Sequence, residues 1–151
     1  MENGMENTSI PDSLEPILTE MVGLAQEFLA EDGEFFPFAA EMRIDGAVEM
    51  VFVETGEQSP SGQELRDFFF QTLQPSLDTG TAVAIGVCLD VQARTPEGED
   101  TDAIMVEVQQ KSGGNALVFV PYAITEEDGG MIEFGEPYGE YGVKLWTPGE
   151  N

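Results

Sequence analysis

The run TAVAIGVCLDV, residues 81 to 91, decides how this chain folds. Successive side chains of an extended strand point to opposite faces. Val83, Ile85, Val87, Leu89 and Val91 therefore share one face, and Ala82, Ala84, Gly86 and Cys88 share the other. Both sets are apolar, so the run reads as a central strand covered on both sides. The side built of Ala, Gly and Cys lets a helix backbone come close to the sheet. The branched side needs a cover of its own.

Upstream lies the strongest helix signal of the chain, SPSGQELRDFFFQTL at 59 to 73. Ser61 and Glu64 make a capping box, and Leu65, Phe68, Phe69, Thr72 and Leu73 form one stripe. Phe70 lies off that stripe, and Pro75 is expected to end the helix. Before it, Phe36, Phe38, Ala40 and Met42 alternate with Pro37, Ala39 and Glu41, the period of a strand. Pro37 cannot donate to a ladder, which predicts an edge strand or one that opens with a bulge. Ile44, Asp45 and Gly46 make a tight hairpin turn, and Val48, Met50 and Phe52 carry the apolar face back to about Thr55. A first helix precedes these strands, capped by Asp12 or Ser13 and ended by Gly33. Its helical spacing is carried by Leu14, Ile17, Leu18, Met21, Ala25, Phe28 and Leu29. Residues 1 to 12 read as a loose polar arm.

Downstream, a polar loop from Arg94 to Thr101 leads to a strand through AIMVEVQQ. The turn from Lys111 to Asn115 leads to its hairpin partner, ALVFVPYAI. The segment MIEFGEPYGEYGVKLWTP is rich in glycine and aromatics without a clear period. The order α-β-β-α-β-β-β plus an irregular tail predicts a single α+β domain over residues 13 to 151. Its simplest form is an antiparallel sheet of about five strands with two helices on one face. A second copy of the chain, or the aromatic tail, would then cover the branched face of residues 81 to 91.

Composition sets the outer bounds. The 151 residues suit one domain, and 41% hydrophobic residues with ten Phe supply a real core. Against that stand 30 Asp and Glu, five Lys and Arg and no His, a net charge of −25. The charge is a coat on a globular body. It argues against nucleic acid and anionic membrane surfaces as partners, since each demands a basic patch. No run approaches the ~20 apolar residues of a membrane span. The opening MENGMENTSIPDS is acidic where a secretory signal is basic, which points to a cytoplasmic protein. A coat of this kind also arises by adaptation to high salt.

Catalytic equipment is scarce. Without His there is no Ser-His or Cys-His pair, and one cysteine, Cys88, allows neither an internal disulfide nor a thiolate metal site. No phosphate-binding glycine motif is present, so neither enzyme activity nor a cofactor or metal is expected. Two acidic groups, Glu97, Glu99, Asp100 with Asp102, and Glu126, Glu127 with Asp128, read as solvated loops because neither has the calcium-loop spacing. Asp102 and Glu107 interrupt an otherwise apolar strand. Phe35, Phe36, Phe38, Phe70, Tyr138, Tyr141 and Trp146 are the aromatics best placed to reach a surface, although most of them are expected in the core. From these come the candidate partner contacts: Phe70, Asp102, Glu107, Tyr138, Tyr141 and Trp146.

The segments FFPF at 35 to 38, TDAIMVEV at 101 to 108 and VFVPY at 118 to 122 resemble a family of small acidic bacterial proteins that carry no assigned activity. The resemblance spans most of residues 30 to 135 and implies a shared fold. The element order is also similar to roadblock light-chain and profilin-like domains, which implies dimerisation or partner binding through the sheet. The reading that follows is a non-enzymatic adaptor or scaffold domain, dimeric through the sheet face. The alternative is an acidic inhibitor or toxin-immunity protein that imitates DNA before a basic partner. Duplex DNA carries a charge per ~1.7 Å of axis. Over a surface of roughly 7,500 Å², −25 is only about one charge per 300 Å². That is thin for a mimic unless the acids gather, and they are spread along the chain.

Overall fold

In the computed structural model, described over residues 12–53, 62–125 and 131–141, the decisive strand forms as β3 (Ala84–Arg94) and lies inside an antiparallel sheet. The other strands are β1 (Phe38–Met42), β2 (Val48–Val51), β4 (Asp100–Gln110), β5 (Asn115–Thr125), β6 (Met131–Phe134) and β7 (Tyr138–Tyr141). The helices are α1 (Glu15–Asp32) and α2 (Gly62–Thr79). The sheet order is β2-β1-β3-β4-β5-β6, with β7 also paired to β5. The chain is a single α+β domain, with seven strands among the described residues where about five were expected. Residues 1 to 11, Ser61, the Glu126 to Asp128 triplet and Trp146 lie outside the described residues.

The expected placement of both helices on one face is corrected. Ile17, Met21, Ala25 and Leu29 of α1 pack on Phe38, Ala40, Met42, Ala84 and Cys88. Leu65, Phe69, Phe70, Leu73 and Leu77 of α2 pack on Ala39, Ile85, Val87 and Leu89. These strand residues alternate, so the helices lie on opposite faces. Topology gives the reason. Both β2 and β3 run antiparallel to the β1 between them, so they are parallel to each other. Such a connection must cross one face of the sheet. That connection is α2, and α1 takes the face left free. The branched side of β3 is thereby covered by the chain itself.

Local chemistry explains the remaining differences. Strand β1 is internal, because Pro37 falls one residue before its first residue and its missing N–H interrupts nothing. Leu14, not an Asp12 or Ser13 side chain, occupies the N-cap position of α1 without a side-chain cap bond. At the other end Gly33 adopts φ 78° and its N–H closes on Leu29 O at 2.9 Å, as expected of a helix stop. Helix α2 runs past Pro75 to Thr79; the proline removes one helical hydrogen bond, while Leu73 and Leu77 on either side remain buried. The stripe of α2 is rotated from the expected one. Phe70 is fully buried and Phe68 is exposed, because the buried set 65, 69, 70, 73 and 77 is centred on the other flank of Leu65. The tail is also more regular than its sequence suggests. Strands β6 and β7 are one line along β5, broken by an extra residue where Pro121 and Pro137 withhold their donors and Gly135 N–H reaches Pro121 O at 2.8 Å.

Gly86 marks the closest approach of α1. A Cβ there would stand 3.0 Å from Met21 Sδ, 3.2 Å from Val108 Cγ2 and 3.4 Å from Glu107 O. Gly86→Val is expected to lower the unfolding free energy by about 1–3 kcal/mol through overpacking. Urea denaturation reads this directly, and an unchanged midpoint would contradict the close packing.

Candidate interaction surface

Helix α2 covers β1 and β3 but stops short of β4 and β5. Beside its N-terminal turn a groove of about 790 Å³ opens over the bare strands, lined by Leu89, Val91, Met105, Leu117 and Phe119. Its lining includes three charged residues, Asp90, Arg66 and Glu107, of which the last two pair across it. Arg66 Nε and Nη2 donate to the two Glu107 carboxylate oxygens, each at 2.7 Å, while Nη1 donates to Asp67 at 2.9 Å. The guanidinium also lies 5.4 Å from the Phe70 ring centroid. Only 3% of Glu107 is exposed, so this two-pronged pair with a planar guanidinium is a demanding interaction in low dielectric.

On the opposite face, past the end of α1, the Tyr122 hydroxyl donates to Asp90 Oδ1 at 2.6 Å. Burial pushes the Asp90 carboxyl above its ordinary range, opposed by the Tyr122 bond and aided by the Asp102 and Glu34 charges. The Tyr122 phenol is raised as well, by burial and then by Asp90, so it stays a donor. Cys88 is fully buried, and burial together with Asp90 pushes its thiol well up, which leaves no thiolate for chemistry.

A third feature lies where β1 begins and β2 ends. Phe38 and Phe52 face each other there with ring centroids 5.8 Å apart, and Phe28 of α1 packs edge-on against both at 6.0 and 6.5 Å. Phe52 is nevertheless 58% exposed and Phe36 81%. Together with Phe28, Phe35, Pro37 and Val53 they border a cavity of about 550 Å³ whose only charged lining residues, among those described, are Asp32 and Glu34.

The candidate contacts are scattered over these features. Phe70 is buried beneath α2 and is corrected from candidate contact to core, while Phe35 and Phe38 are core as most of the aromatics were expected to be. Glu107 is buried and lines the groove from beneath Arg66. Asp102 is exposed on the other face and accepts the Gln92 amide. Tyr138 stacks on Phe119 at 5.2 Å and donates to Arg94 O at 2.9 Å; burial and Glu97 push its phenol up. The backbone of Tyr141 lies in β7, and Trp146 is outside the described residues. Sequence reasoning missed Arg66, which could have been noticed as one of only five bases on the most amphipathic helix. It also placed Phe52 on the apolar face of a strand, whereas β2 ends at Val51 and the Phe52 ring is largely exposed. Among the described residues no group of three potential metal ligands converges, and no helix is long and apolar enough to cross a membrane. No family model, curated protein or solved structure matches the chain, so the resemblances drawn from its segments and element order rest on those residues alone.

Arg66→Met leaves the Glu107 carboxylate buried without its partner and is expected to cost about 3–5 kcal/mol, whereas Arg66→Met with Glu107→Leu should lie much nearer the wild type. Chemical denaturation of the two variants checks the order, and equal losses would contradict it. Asp90 supplies a pH test. A raised carboxyl contributes stability that is complete below its unfolded value and is lost as pH rises through the folded one, so the ionised group is a burden at neutral pH. Asp90→Asn keeps an acceptor for Tyr122 and should melt at or above the wild-type temperature at pH 7. That advantage should vanish in acid.

Proposed function

We propose that this chain is a non-enzymatic protein-interaction domain of the adaptor or scaffold type, self-associating through the part of the sheet that α2 leaves bare. The observation that carries this reading is the apolar groove over β4 and β5, floored by half-buried Met105, Leu117 and Phe119. Helix α2 covers the branched face of β3, so a second copy has only this strip of that face to meet. Association by apolar burial is insensitive to salt. Light scattering is expected to give a dimer at low and at molar salt, and Leu117→Glu to give a monomer of unchanged circular dichroism. A wild-type monomer under all conditions would sink the reading.

A second reading, an acidic inhibitor or immunity protein for a basic partner, is favoured by the state of the bases. All four described ones are engaged within the chain: Arg43 with Glu49, Arg66 with Glu107, Arg94 with Asp100, and Lys111 with the Asp78 carbonyl. None is spare to offset the remaining acids. The surface of 8895 Å² divided by 25 net charges leaves about 356 Å² per charge, thinner than the sequence suggested. Imitation of DNA by charge density alone is therefore weak, and capture must depend on a local patch.

A further inference from the structure

We propose that the aromatic end of the domain, where Phe36 and Phe52 flank the C-terminus of α1, is a docking site for a cationic segment of a protein partner. An arginine or lysine of that segment would lie against the phenylalanine rings, with an adjoining apolar side chain entering the cavity. The inference rests on the interaction-domain reading and is independent of self-association.

Three observations converge on this place. The first is uncovered apolar area: Phe36 is 81% and Phe52 58% exposed, although their neighbours Phe35 and Phe38 are buried. Contiguous exposed aromatics of this kind mark binding surfaces rather than ordinary solvent contact. The second is the sign of the rim. Among the described residues, Asp32 and Glu34 are its only charged members and neither has an ion-pair partner. The third is the helix end. The C-terminus of α1 carries partial negative charge, yet its last turn holds Glu31 and Asp32 and no base. Like charges are thus gathered at a negative pole, an arrangement that a bound cation relieves.

The chemistry of the occupant follows. A ring face attracts a guanidinium or ammonium, and the molecule already contains one such contact in Arg66 over Phe70 at 5.4 Å. Carboxylates beside the rings fix the sign and favour arginine, which pairs with both planar surfaces and carboxylates. The apolar cavity beside the carboxylates calls for an apolar side chain next to the cation, which a polypeptide supplies and a free amine does not, while the net charge of −25 repels nucleic acid and anionic lipid.

The test uses a blocked peptide of alternating Arg and Leu, with Arg–Ser and Gln–Leu peptides as controls, titrated into the full chain by calorimetry and by amide shifts in labelled protein. The Arg–Leu peptide is expected to bind more tightly than either control, with shifts concentrated at residues 28 to 38 and 50 to 53. Phe36→Ser, at a position too exposed to carry the fold, should weaken binding about tenfold or more, and Asp32→Asn with Glu34→Gln should do likewise. No binding by Arg–Leu, or binding that both variants leave intact with shifts spread over the acidic surface, overturns the site. Either result leaves the interaction-domain reading to its own test, since self-association is read by light scattering and not by peptide binding.

Discussion

The constraint on which the rest of the structure depends is that β3 must be dry on both faces. Fully burying a Val, Ile or Leu contributes about 1.5–3 kcal/mol, whereas an exposed ion pair contributes roughly 0–1 kcal/mol. Two-sided cover of Ile85, Val87 and Leu89 on one face and Ala84, Gly86 and Cys88 on the other therefore outweighs any single exposed ion pair of the surface. The two faces require different covers. Small residues let α1 sit with Met21 where a Gly86 side chain would otherwise stand, while the branched row carries Leu65, Phe69, Phe70, Leu73 and Leu77 of α2. Because α2 must also bridge the parallel strands β2 and β3 across β1, it is centred at that end of the sheet. The bare strip over β4 and β5 is the geometric remainder.

The distribution of charge follows a related rule. Five bases cannot balance 30 acids, and those described are placed where local geometry needs them: across the β1–β2 hairpin, under α2, across the β3–β4 turn and at the C-terminus of α2. Of the described bases, Arg66 alone reaches a buried acid. Its pairing with Glu107 ties the first turns of α2 to the middle of β4, the one charged link between that helix and the strand it does not cover. An apolar pair of similar volume could hold those elements together as well. At the end of α1, Asp32 and Glu34 meet exposed aromatics instead of bases.

Most of the element order was legible because strand and helix periods are local. The two faces of residues 81 to 91, the α1 stripe, the turn at Gly46 and the hairpin of β4 with β5 depend only on neighbours a few positions away. Errors appear where a long-range partner decides. Phe68 and Phe70 differ by two positions on α2, and only the direction from which β3 approaches selects which is buried. Pro75 is a helix breaker by its own chemistry, yet Leu73 and Leu77 are held against the sheet and the helix continues through it. Glu107 stood out in the sequence as a charge in an apolar strand, but its partner lies 41 residues away and nothing local names it.

The amino-acid sequence alone thus determined that there is an α+β domain, that one strand lies at its centre with apolar neighbours on both sides, and that its surface is overwhelmingly acidic, because periodicity and composition are properties of the chain itself. Only the tertiary structure decided which helix covers which face, that the chain supplies both covers, and that Phe36 and Phe52 are left outside beside Asp32 and Glu34. Those outcomes depend on strand order and crossover, which bring distant segments together and which no local pattern encodes.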